Sequence, residues 1–91
     1  MATPYRIKAR EALLRHDLPR ALAFLDRGIQ VAPTLLDLYL QRAQIFQYGL
    51  NNFARALTDY RHILRVLETR PDQRLAKQCR KGMRDMMEGA E

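Results

Sequence analysis

One stretch of this chain occurs twice. Arg20-Ala21-Leu22-Ala23-Phe24-Leu25 returns, thirty-five residues on, as Arg55-Ala56-Leu57-Thr58-Asp59-Tyr60. Both copies share Arg-Ala-Leu, and a bulky residue, Leu25 or Tyr60, follows the alanine by four, which is a same-face step of a helix. In a chain of 91 residues a unit of that length fits little more than twice. The repetition therefore governs most of the sequence, and each unit has to be one small supersecondary piece that buries its apolar side against a neighbour.

Turn-forming residues divide the chain in the same rhythm. Asp17-Leu18-Pro19, Pro33-Thr34, Gly49-Leu50-Asn51-Asn52 and Thr69-Arg70-Pro71-Asp72 leave five segments of about 12 to 19 residues, each long enough for several helical turns. The first segment carries Tyr5, Ala9, Ala12 and Leu13, and the second carries Leu18, Ala21, Leu22, Leu25 and Ile29, both at helical spacing. Asp17 is placed to cap the second, with Pro19 in its first turn. Thr34-Leu35-Leu36-Asp37 has the pattern of a capping box for the third. That third segment is apolar around more than half its circumference, through Leu35, Leu36, Leu38, Tyr39, Leu40, Ala43, Ile45 and Phe46, so it is expected at the centre, packed on two sides. Gly49 is the expected left-handed terminator and Asn51 or Asn52 the next cap. Phe53, Ala56, Leu57, Tyr60, Ile63, Leu64 and Leu67 make the fourth stripe. Asp72 caps the fifth segment, whose Leu75, Cys79, Met83 and Met86 form a narrow one.

With these residues in place, the chain resembles the tetratricopeptide repeat family, whose unit is a 34-residue helix–turn–helix with a small/large residue pattern. Tyr5, Ala9, Ala21, Leu25, Gly28 and Pro33 fill that pattern in the first unit, and Tyr39, Ala43, Phe46, Phe53, Ala56, Tyr60 and Ile63 in the second. There are departures. His16 stands where the family usually has glycine. One extra residue falls around Tyr48-Gly49-Leu50, which lengthens that unit's first helix or loop, and Pro71 arrives three residues late, which predicts a second helix about a turn longer. The resemblance implies an all-α helix–turn–helix solenoid of about five antiparallel helices: a single domain over residues 1–91, with units at 2–35 and 36–71 and a closing helix at 72–88.

Composition narrows the function classes. Hydrophobic residues are 47% and charged residues 29%, a globular balance. The chain has one cysteine, Cys79, and no serine, which excludes an internal disulfide and any serine triad and makes a reducing, cytoplasmic setting the default. The amino terminus has no signal-like apolar run, and no stretch is long and apolar enough to span a membrane. His16 and His62 lack further ligands at helical spacing, so no metal and no cofactor is expected. His62 and Asp59 suggest a surface pair, and Asp26, Asp37 and Asp59 read as helix-surface groups. Cys79 sits on an apolar stripe as a structural thiol. No catalytic residue is expected.

Binding is the remaining expectation. Net charge is +6, with the excess at the two ends of the chain, and a basic balance favours acidic partners. The resemblance places Arg6, Arg10, Leu13, Asp37, Gln41, Gln44 and Tyr48 in a concave groove for a protein or peptide partner, acidic or polar. Arg74, Lys77, Lys81 and Arg84 form a separate basic stripe on the last helix. It is the basis of an alternative, nucleic-acid-binding function, although no stacking aromatics accompany it. Fewer than three full repeats predict a homodimer or docking to a larger assembly. The residues expected to serve it are Val31, Leu35, Leu36, Leu40 and Leu50, or the Cys79, Met83, Met86 and Met87 face.

Overall fold

The computed structural model describes residues 3–89. The two residues that begin the amino terminus read above, and the last two of the chain, lie outside the described residues. Within them, five α-helices follow one another: α1 Thr3–Leu14, α2 Leu18–Val31, α3 Leu36–Gln44, α4 Phe53–Leu67 and α5 Gln73–Gly89. A π-helical segment, Ile45–Gly49, continues α3 directly. All described secondary structure is helical.

The helix starts follow the capping chemistry. Asp17 accepts from the Arg20 N–H at 3.2 Å, Asn52 from the Arg55 N–H at 3.3 Å, and Asp72 from the Leu75 N–H at 3.1 Å. Each thereby satisfies a first-turn donor that has no partner within its helix. The expected capping box at Thr34 does not form. Leu35 occupies the cap position with no side-chain bond, and the loop is held instead by the Tyr39 hydroxyl donating to the Pro33 carbonyl at 3.0 Å.

The corners after α1 and after the π-turn share a left-handed residue followed by a capping residue, although their backbone hydrogen bonds differ. At the first, His16 is left-handed, with φ 59°. The His16 N–H donates to Leu13 O and the Asp17 N–H to Ala12 O, the paired bonds of a Schellman ending. At the second, the left-handed residue is Asn51, φ 53°, and no described glycine has positive φ, so Gly49 is not the terminator. Left-handed residue and following cap recur at His16-Asp17 and Asn51-Asn52, thirty-five residues apart. The helix runs on to Gly49 as a π-turn, whose wider i→i+5 bonding accommodates the extra residue there. The late proline has a different outcome from the one expected. Helix α4 has 15 residues against 14 in α2, and the residues up to Pro71 form a turn.

Two apolar clusters fill the interior. Ala9, Ala12, Ala21, Leu25, Leu38 and Ile45 pack where α1, α2 and α3 meet. A methyl group on Gly28 would lie 3.1 Å from Leu38 and 3.3 Å from Tyr5, so this glycine sets the close approach of those three helices. Tyr60, Ile63, Phe46, Leu75, Cys79 and Met86 anchor the second cluster, and Leu36 and Leu40 belong to it as well. Those two leucines, with buried Cys79 and Met86, are therefore covered by the chain itself and do not form an association surface. Val31, Leu50 and Met87 remain exposed.

Candidate functional site: the face shared by α1, α3 and α5

Helix α3 lies between α1 and α5, and a carboxylate on its exposed side ties the three together. Asp37 accepts from Arg74 Nη2 of α5 at 2.9 Å and lies 3.8 Å from Arg6 Nη1 of α1. The groove and the basic stripe are thus joined at this point, where two separate surfaces were expected. Further along, the Tyr48 hydroxyl donates to Asp85 at 2.7 Å, and Lys81 Nζ donates to the same oxygen at 3.2 Å. The hydrogen bonds from Tyr48 and then Lys81 hold the Asp85 carboxyl below its ordinary pKa, and the same bond raises that of Tyr48. Asp85 therefore stays ionised to lower pH than a free carboxyl, and these bonds loosen as pH falls through its lowered pKa.

Between these two ties is a hollow of about 510 Å³. Arg10 and Leu13 come to it from α1, Gln41 and Gln44 from α3, and Tyr48 from the π-turn. Five of the seven residues expected in the groove share this hollow, and Arg6 and Asp37 stand at its α1–α3 edge. His16 also lines it, which its left-handed corner position explains. Gln41 Oε1 is buried there without a hydrogen-bond partner.

The four residues of the basic stripe divide between two faces. Arg74 reaches across to Asp37 of α3, and Lys81 is engaged by Asp85 one turn on in α5 itself. Lys77 lines a different hollow, of about 580 Å³, on the α4 side, beside Glu68, Asp72 and Arg80. Arg84 is exposed. The cations do not form one uninterrupted row.

Several polar residues have roles that sequence spacing did not reveal. Asp59, expected at the surface beside His62, is 3% exposed. It accepts two bonds from Arg42, Nε at 2.9 Å and Nη2 at 2.7 Å, while Arg42 Nη1 reaches Asp26 at 2.9 Å. This fork pins α2, α3 and α4 together, and its hydrogen bonds, those to Asp59 foremost, raise the Arg42 pKa beyond its already high value. His62 packs its ring on Tyr39, 4.5 Å between centroids. Gln47, 3% exposed, accepts from the Tyr60 hydroxyl at 2.7 Å and donates to the Gly82 carbonyl at 2.8 Å. The π-turn makes this bridge: Ile45, Phe46 and Gln47 are buried in succession. A side chain on Gly82 would overlap the Tyr60 hydroxyl.

Burial pushes the Cys79 thiol up to about 11, which keeps it protonated and a poor nucleophile near neutral pH. Among the described residues no three His, Cys, Asp or Glu side chains gather as metal ligands, and no helix is long and apolar enough to cross a membrane. Comparison with family models, curated proteins and solved structures gives no match for this chain.

Proposed function

We propose that this chain is a non-catalytic interaction module of tetratricopeptide-like, α-solenoid architecture. It takes an acidic or polar segment of a protein partner along the face shared by α1, α3 and α5. The observation that carries the reading is convergence: Arg10 of α1, Gln41 and Gln44 of α3 and Tyr48 of the π-turn line one hollow. An open face with a cation, two amides and a phenol around an apolar Leu13 suits an extended peptide. Such a peptide offers carboxylates and backbone groups together. The left-handed residue and following cap that recur at thirty-five residues support the repeat architecture, because the same pair of positions turns the chain in each unit.

The runner-up is a nucleic-acid accessory role for α5. It is less well supported, since Arg74 and Lys81 already face carboxylates. Fluorescence anisotropy with acidic peptides and with single-stranded oligonucleotides separates the two. Under the proposal, Arg10→Glu and Gln44→Glu each weaken peptide binding about tenfold or more, and Lys77→Glu/Arg84→Glu stays within about twofold. Oligonucleotide binding with a steep salt slope, lost in Lys77→Glu/Arg84→Glu and retained in Gln44→Glu, would replace the peptide reading.

A further inference from the structure

Helix α1 has a second face beside the groove, with Arg10 at the boundary between the two. Its inner side buries Ala9 and Ala12 against α2 and α3. Its outer side exposes Ile7 at 54% and Leu14 at 78%, the latter the most exposed large hydrophobic side chain among the described residues. Arg10 and Glu11 lie between them, so apolar, basic, acidic and apolar groups follow at 7, 10, 11 and 14, one helical stripe. Together with Arg6 they line a shallow hollow of about 390 Å³ formed by α1 alone.

We infer that this stripe is the contact face for a second copy of the same chain, with the two α1 helices crossing antiparallel on a two-fold axis between Arg10 and Glu11. A two-fold contact requires a patch complementary to itself, and this stripe has that property in both chemistry and order. Reversed upon itself, it sets Ile7 against Leu14 of the second copy and Arg10 against Glu11 of the second copy, and each pairing occurs twice. The other open side of the molecule does not offer a comparable fit. Around exposed Met87, helix α5 presents Lys77, Arg80 and Arg84, which repel the arginines of α1. Like-charge juxtaposition of that kind selects against head-to-tail stacking.

The pairing is limited in strength. One helix pair buries less than the roughly 1,200–2,000 Å² of a standard interface. Arg6 of one copy also meets Arg15 of the other at each end, and each copy carries a net charge of +6. The dimer is therefore weak, with a dissociation constant on the order of 10–100 µM.

Sedimentation velocity of the full chain from about 1 µM to 1 mM tests it, with the range set by that affinity. The expected result is a concentration-dependent monomer–dimer equilibrium. Leu14→Glu, at an exposed position where circular dichroism should stay unchanged, abolishes the dimer. Arg10→Glu or Glu11→Arg alone weakens it about tenfold or more, and the combined R10E/E11R exchange returns it to within about threefold of the parent. That double exchange leaves the net charge as it was, so a recovery reports pairing rather than overall repulsion. A monomer at 1 mM, a dimer indifferent to Leu14→Glu, or no recovery in the double exchange would each overturn the inference.

Discussion

The two halves of this molecule solve the same packing problem with different materials. Beneath α1 and α2 the interior is aliphatic, with Ala9, Ala12, Ala21, Leu25, Leu38 and Ile45 and no buried polar side chain among them. Beneath α4 and α5 the interior includes the Tyr60–Gln47–Gly82 bridge, and at its edge the Arg42–Asp59 fork. An aliphatic core accepts volume-conserving exchanges. A polar network holds one arrangement, because any other leaves a buried group unpaired. The half that carries the insertion is therefore the half whose geometry is most tightly specified.

The largest expected effect lies at the fork. Arg42→Ala leaves Asp59 buried and unpaired, and should cost about 3–5 kcal/mol, enough to unfold much of a domain this small. Urea unfolding followed by circular dichroism measures it. Arg42→Met/Asp59→Leu should recover most of the loss, because no uncompensated charge remains. If the single change cost less than about 1 kcal/mol, a typical exposed ion-pair value, the contrast between the halves would fail.

Next comes the bridge. Tyr60→Phe removes one hydroxyl and strands Gln47 Oε1, at an expected cost of about 1–3 kcal/mol. Leu25→Ile, in the aliphatic half, should stay under about 1.5 kcal/mol despite equal burial of the position. Thermal unfolding of the pair of variants compares them directly, and equal losses would erase the distinction.

The smallest effect concerns the corners. His16 and Asn51 both hold left-handed backbone, which costs an ordinary residue about 1–2 kcal/mol and asparagine less. His16→Gly should therefore gain a fraction of that, up to about 1 kcal/mol, while Asn51→Gly gains little. Midpoint shifts in urea rank them.

Much of the helical framework was legible in the sequence, for reasons local to each segment. The stripes of α2 and α4 and the caps at Asp17, Asn52 and Asp72 depend on neighbours within four residues. What was not legible depends on partners far along the chain. Nothing near Asp59 announces that Arg42, seventeen residues earlier, will reach it, and with His62 three residues away a surface pair was the natural local reading. Gln47 gave no signal either, since a polar residue between Phe46 and Tyr48 reads as solvent-facing until the π-turn rotates it inward. The extra residue itself was visible as a mismatch in repeat length. Its placement was not, because Gly49 mimics a helix end. At the candidate site, five of the residues that the repeat resemblance set on one side line a single hollow. The tie from Arg6 through Asp37 to Arg74 was not legible, because it requires α1, α3 and α5 to be set side by side.

Cys79 has a use as a timekeeper. It is the chain's only thiol, lies fully buried on the inner side of α5, and its high pKa adds a chemical barrier to the steric one. Alkylation can then proceed only during intervals when α5 has lifted away from α4. The labelling rate at increasing reagent concentration separates how often the helix lifts from how long it stays away. One native side chain thus reports any opening that uncovers the inner side of α5, with no added probe.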